Sequence, residues 1–202
     1  MSDDDGALRD AMKKVATTLK SSNVPFALSG GYASWARGGP EPTHDVDFVI
    51  LGEDVTHALQ VLEGAGLRVV QPPEDWLVKV YDGECLVDLI FAPSDRPVTR
   101  EQLDAADEMR VDSVRMPVQS ATDLMIAKLL VLNEHYCDLT RLFPHVRALR
   151  EQVDWPALRR AVDRSPFARA FLELSAELGL LPDGDPPGDL AAAQDPAGHA
   201  AG

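Results

Sequence analysis

Apolar residues recur at helical spacing from Leu8 through Met12 and Val15 to Leu19, with lysines on the opposite side, and this predicts a helix over residues 8–22. It stops at Ser21-Ser22-Asn23, and the run Val24-Pro25-Phe26-Ala27-Leu28 that follows reads as a short strand. Gly30-Gly31 opens a brief helix that Gly38-Gly39-Pro40 closes, because two glycines and a proline supply both a C-terminal stop and a breaker. The segment from His44 to Leu51 is a second strand. Residues 56–65 read as a helix stopped by Gly66, and strands are predicted at 67–70 and 76–82, parted by Pro72-Pro73, and again at 85–92. Residues 1–105 thus form an α+β unit with a sheet of four or five strands.

From about Arg100 the pattern changes to helical. Ser120-Ala121-Thr122-Asp123 resembles a capping box and starts a helix to Leu132, and residues 138–152 and 154–180 continue as helix with an interruption at Ser165-Pro166. Residues 106–182 are therefore expected as a helical C-terminal region. The remaining 183–202, rich in Pro, Gly, Ala and Asp, have little to bury and are expected to be disordered.

Composition adds few constraints. The 202 residues are 45% hydrophobic and 26% charged, and no run reaches the eighteen or so apolar residues of a membrane span. The acidic N-terminus lacks the order of a secretory signal, so a cytoplasmic protein is expected, with no membrane partner. Cys85 and Cys137 stand far apart without metal-ligand spacing and are expected as buried, reduced thiols. The net charge of −14 is uneven: residues 1–110 carry 20 acidic and 10 basic side chains, residues 111–170 carry 7 and 9, and the rest 6 and none. Such a chain is a poor nonspecific ligand for nucleic acid, so an RNA would have to be recognised locally.

The chemistry concentrates in a few residues. Asp45 and Asp47 alternate with Val46 and Phe48, so in a strand both carboxylates point to one face. Two such charges repel, and a divalent cation relieves the repulsion; a solvated turn is the alternative. Asp88 lies between apolar neighbours in Leu86-Val87-Asp88-Leu89-Ile90, where an unpaired charge is costly, so it needs a metal or a partner, or sits at a strand end facing water or an arginine. If the strands are neighbours, three carboxylates converge as in a two-metal phosphoryl-transfer site. Gly30 and Gly31 stand between strand and helix, where backbone N–H groups meet a phosphate, and Ser29 adds a hydroxyl. Lys128 lies beside the apolar stripe of its helix, either snorkelling to solvent or reaching into a cleft. Asp138 is either a helix N-cap or a carboxylate of the same pocket.

Taken together, "SGGYASWARGG" followed by "THDVDFVI" resembles the glycine motif and Thr-x-Asp-x-Asp signature of the DNA polymerase β-like nucleotidyltransferases, with Asp88 in "VDLIF" as the third carboxylate. The stretch from Asp123 to Leu142 resembles the Lys-containing helix and following Asp of the AbiEii-type enzymes, which include the MenT toxins of toxin-antitoxin pairs. The resemblance covers residues 24–142. It implies the polymerase β-like mixed sheet with flanking helices and a C-terminal helical region. It implies two Mg²⁺ ions on Asp45, Asp47 and Asp88, with Asp88 helping to activate the attacking hydroxyl. It also implies an NTP, such as CTP or UTP, held by Ser29, Gly30, Gly31, Thr43, Lys128 and Asp138. The acceptor it implies is the 3′ end of a tRNA, and a cognate antitoxin protein is the implied partner; a monomer is expected. Nucleotidyl transfer to a small molecule, as in aminoglycoside-modifying enzymes of this fold, and a catalytically inactive nucleotide-binding module are the alternatives. The chain departs from many relatives in having no basic residue in Gly39-Pro40-Glu41-Pro42-Thr43 or after the lysine helix.

Overall fold

The computed structural model describes residues 3–42 and 44–182, so Thr43 and the tail expected to be disordered lie outside the described residues. Helix α1 (Asp3–Ser21) leads into strand β1 (Phe26–Ser29), the short helix α2 (Gly30–Ala36) and strand β2 (Val46–Ile50). Helix α3 (Val55–Gly64) is followed by β3 (Arg68–Val70), β4 (Leu77–Asp82) and β5 (Cys85–Ile90). A short helix α4 (Arg100–Asp104), started by a Thr99–Gln102 capping box, precedes β6 (Asp107–Val111) and β7 (Val114–Val118). The rest is helical: α5 (Ala121–Leu130), α6 (Phe143–Leu149), α7 (Trp155–Val162) and α8 (Pro166–Glu177).

The sheet has seven strands, not four or five, in the order β3-β4-β5-β2-β1-β7-β6. The two additional strands form a hairpin, at residues 107–118, where a helical region was expected. Charged Asp107, Glu108, Arg110 and Arg115 interrupt its apolar positions, as suits an outer hairpin that must not invite further strands. The sheet is mixed: β2 runs parallel to β5 and β1 to β7, and the other pairs are antiparallel.

Alternation along the central strands distributes the core. Val46, Phe48 and Ile50 of β2, Phe26 and Leu28 of β1, and Val87 and Leu89 of β5 join α1 and α3 in the main apolar cluster, where Phe26 meets Phe48 edge to face at 5.5 Å. Ala27, Val49 and Leu51 point to the other face, with Val98 and Leu103 over them. Asp47 and Asp88 belong to this second face by the same alternation. A separate cluster runs through the helices from Ala121 to Leu181, and α5 contributes to both, Leu124 to the first and Ala121, Met125 and Leu129 to the second.

Local signals start the C-terminal helices. Ser120 accepts from the Asp123 N–H at 3.1 Å, Asp154 from Ala157 at 2.9 Å, and Ser165 from Ala168 at 3.2 Å, with Pro156 and Pro166 in the first turns of the last two. The cysteines are free, but they are not both buried: Cys85 is half-buried, and Cys137 is exposed on the loop after α5. No described helix is long and apolar enough to cross a membrane.

Arg37, at the end of α2, ties the glycine helix to the outer hairpin and the helices. Its side chain is only 6% exposed, and it donates to the carbonyls of Gln119 at 2.8 Å and Val118 at 3.1 Å and to Asp107 at 2.6 Å. Gln152 in turn donates to the Arg37 carbonyl at 3.0 Å. Replacing Arg37 with Met strands two part-buried carbonyls and should cost about 3 kcal/mol, read as a fall in Tm of roughly 6 to 12 °C by thermal unfolding. A fall within about 1 °C would show that the guanidinium carries no such load.

Candidate active site

The site is assembled by strand register. β2 lies between β1 and β5, so that Ser29 stands opposite Asp47 on one side and Asp88 opposite Asp47 on the other. Asp45 immediately precedes β2, two residues back on the same face. Asp45, Asp47 and Asp88 each offer a carboxylate oxygen, and these oxygens lie within 4.8 Å of one another.

Glycine makes room for this cluster. Gly30 has φ +59°, a conformation that costs side-chain-bearing residues, and a Cβ there would lie 2.6 Å from the Asp47 carboxyl carbon, inside van der Waals contact. The Gly31 N–H donates to Asp47. A Cβ on Gly31 would come within 2.8 Å of the Pro42 side chain. The glycine pair therefore serves the carboxylate directly, whatever it does for a phosphate. Ser29 is buried and donates to Gln119 Oε1 at 2.6 Å, while the Gln119 N–H donates to the Leu28 carbonyl at 2.9 Å. This fixes the end of β1 to the end of β7.

The electrostatics follow from crowding. The Asp47 carboxyl is pushed up to about 7, first by burial and then by Asp45 and Asp88, against the pull of Lys128 and the Gly31 N–H. Burial likewise raises the Asp88 carboxyl, opposed by Lys79, whose ammonium lies 3.4 Å away on the facing position of β4; Asp45 and Glu74 push the same way as burial. Asp88 is thus paired with a lysine. Burial pulls the Lys128 ammonium down, while Asp47 and Asp45 hold it up, which puts Lys128 on the cleft side of α5.

The structure brings Asp45, Asp47, Asp88 and Lys128 together beside Ser29, Gly30 and Gly31. The contacts of Asp138 are local. That residue is exposed and caps the short turn after it, accepting from Thr140 Oγ1 at 2.5 Å and the Thr140 N–H at 3.2 Å and pairing with Arg141 at 3.1 Å. These bonds, the Thr140 hydroxyl foremost, hold its carboxyl below the usual range.

Three neighbours went unread in the sequence. Lys79 and Asp88 are fixed as a pair by the two-residue turn Gly83-Glu84, which sets Asp82 opposite Cys85 and, counting back, Lys79 opposite Asp88; that signal was available in the sequence. Ser34 and His145 carried none, because His145 stands 111 residues away on α6 and only folding brings its Nδ1 to 2.6 Å from Ser34 Oγ. Burial and the Lys128 charge drive the His145 imidazole down to about 4, so it is neutral at pH 7. The loop before β2 has its own cation after all: Arg9 of α1 pairs with Glu41 and lies 5.0 Å above the Trp35 ring.

No family model and no curated protein sequence matches the chain. Among solved structures, it is similar to ANT(2″)-Ia in complex with adenylyl-2″-tobramycin, with a TM-score of 0.51 and 20% identity, covering 85% of this chain and 92% of that one. The lincosamide antibiotic adenylyltransferase LnuA, lincomycin-bound, gives 0.49 at 16% identity over 71% of this chain and 97% of the other. A tRNA nucleotidyltransferase complexed with a primer tRNA and an incoming ATP analog gives 0.38 at 16% identity over 81% of this chain and 60% of that one. The chain has a nucleotidyltransferase fold: a mixed sheet with flanking helices, followed by helices.

Proposed function

We propose that the protein is a divalent-metal-dependent nucleotidyltransferase that moves a nucleoside monophosphate from an NTP to an acceptor hydroxyl. The convergence of Asp45, Asp47 and Asp88, with carboxylate oxygens within 4.8 Å of one another, carries this reading. Three hard oxygen donors suit Mg²⁺, and the upward push on Asp47 is the repulsion that a dication relieves. We assign two Mg²⁺ ions to these residues; when bound, they supply Lewis-acid activation of the hydroxyl and neutralise phosphate charge.

The chain's own residues do the rest. Gly30 and Gly31 leave backbone open to the phosphates, and Lys128 offers an ammonium to the same charge. Asp88, next to Lys79, takes the acceptor's proton. The acceptor oxygen bonds to the α-phosphorus, the bond to the bridging oxygen breaks, and pyrophosphate leaves. Because metal binding requires ionised Asp47, Mg²⁺ affinity should fall by about tenfold for each pH unit below 7 and level off above it. Calorimetric titrations with Mg²⁺ at pH 6, 7 and 8 check this, and a flat profile contradicts it.

For the acceptor we propose the 3′ end of a tRNA, with a pyrimidine nucleotide, as the action of a toxin held by an antitoxin. Exposed Arg141, Arg147, Arg160, Arg164 and Arg169 along the C-terminal helices support it by offering cations in the one stretch, residues 111–170, where basic side chains outnumber acidic ones. A specific observation favours a second reading, a cationic small molecule: Glu74 lies close enough to Asp88 to act on it, so the approach to the carboxylates is acidic. Incubation with each α-labelled NTP, Mg²⁺ and either total tRNA or amino-sugar antibiotics separates the two. Label in RNA that Asp45→Ala abolishes supports the first; label only in the small molecule overturns it in favour of the second.

A further inference from the structure

Ser34 is fully buried on α2, the helix that Gly30 and Gly31 open, and its hydroxyl meets His145 Nδ1 at 2.6 Å. His145 sits on α6, in the helical region, so this bond joins the glycine helix to the C-terminal helices across the side of the site where Lys128 lies. A Cβ on Gly39 would collide with Ser34 Oγ, so the chain turns tightly around that hydroxyl and leaves it little freedom. With one ring nitrogen held by Ser34, the imidazole has its other nitrogen, Nε2, without a hydrogen-bond partner among the described residues. The ring is half-buried and feels the Lys128 charge, and its Nε2 keeps surface open to a ligand.

A polar nitrogen that no protein group occupies and that keeps accessible surface is free to bond a ligand. When Ser34 Oγ–H donates to Nδ1, the ring proton resides on Nε2, which makes Nε2–H a neutral donor standing next to a cation. That combination suits an anion: the ammonium supplies charge, and the imidazole supplies direction without adding repulsion to Lys128. Protonation would bring two cations together, and the low affinity of this imidazole for a second proton keeps it neutral.

We propose that His145 binds the triphosphate of the nucleotide, its Nε2–H donating to a phosphate oxygen beside Lys128 while Ser34 holds Nδ1. The proposal rests on the nucleotidyl-transfer reading and extends the phosphate site beyond the glycine helix and Lys128 of α5 to α6. It makes α6 a part of nucleotide binding and not only a flank.

The test uses the full chain with Mg²⁺ and inorganic tripolyphosphate, a probe that has no base to read, followed by calorimetry and thermal unfolding of the wild type, His145→Asn, His145→Ala and Ser34→Ala. Asparagine replaces the Nδ1 position and keeps a partner for Ser34, but it has nothing at Nε2. Expected is a His145→Asn protein with Tm within about 1 °C of wild type and tripolyphosphate affinity weakened tenfold or more; His145→Ala loses affinity and some stability. Should His145→Asn fail to fold, Ser34→Ala answers the same question through a severalfold loss of affinity. Wild-type affinity in His145→Asn, or in Ser34→Ala if that is the folded variant, reduces the pair to a structural contact and overturns the proposal alone. A wild type that binds neither tripolyphosphate nor any NTP overturns the functional reading with it.

Discussion

Asp47→Asn should make the metal-free protein more stable at pH 8 while abolishing nucleotidyl transfer. Burial and two neighbouring carboxylates raise the Asp47 carboxyl to about 7. A group raised from its ordinary value favours the folded state fully below about pH 4, and that contribution is lost as the pH climbs through about 7. The metal-free protein therefore carries the cost of a crowded, ionised Asp47 above that window, roughly 4 kcal/mol. Asparagine keeps an oxygen for the Gly31 N–H and removes the charge. Its Tm at pH 8 should rise by roughly 8 to 16 °C, and the loss of stability between pH 4 and 7 should flatten. Added Mg²⁺ should raise the wild-type Tm and leave the variant's unchanged, while transfer falls by about three orders of magnitude or more, a scale that charge placement at the transferring phosphoryl group accounts for. A variant that loses stability and keeps its Mg²⁺ response would mean that Asp47 is a structural acid.

Gly30→Ala should produce the opposite pairing, a loss of both stability and metal response. The alanine would have to hold φ near +59°, which costs about 1 kcal/mol or more, and its methyl would strike the Asp47 carboxylate. Neither neighbour can give way cheaply, because Gly30 follows a strand paired on both sides and Asp47 is anchored in β2 between β1 and β5. We expect a fall of about 2 to 4 kcal/mol in unfolding free energy and Mg²⁺ binding weakened more than tenfold, by denaturant unfolding and calorimetry. Gly38→Ala is the control: it has a positive φ of +96° but nothing within 4 Å of its Cβ, so it should lose stability and keep metal affinity. If Gly30→Ala binds Mg²⁺ as well as Gly38→Ala does, the close approach of the glycine to the carboxylate has no functional part.

Where local chemistry dictated the outcome, the sequence was readable. The amphipathic α1, the glycine-bounded α2, the apolar runs of β2 and β5, and the capped α5 fell where periodicity and caps put them, since each is specified by residues within a few positions. The β6–β7 hairpin was not, although Met109 and Val111 on one strand and Val114, Met116 and Val118 on the other do alternate. Charges that protect an outer strand hide that alternation among polar residues, and a pairing as slight as Leu28 with Val118 leaves no mark on the chain. The site divides in the same way. Asp45, Asp47 and Asp88 declared themselves because carboxylates within or beside apolar strands need a reason, and Lys128 did so through its place on an apolar stripe. Asp138 had two roles open to it in sequence, and its contacts are those of a cap. His145 and Ser34 have ordinary sequence surroundings, and their meeting depends on how the helical region folds against α2, which no local pattern records.

The central claim is that these carboxylates transfer a nucleotide rather than a phosphate. It is met most directly by running matched reactions with α-labelled and γ-labelled NTP, Mg²⁺ and the acceptor pools, with the wild type and an Asp45→Asn, Asp47→Asn double variant. The account predicts that wild-type enzyme places the α label on an acceptor and releases the γ label as pyrophosphate, that removal of Mg²⁺ stops both, and that the double variant does neither. Transfer of the γ label to the acceptor, or α-label transfer that survives in the double variant, would contradict it.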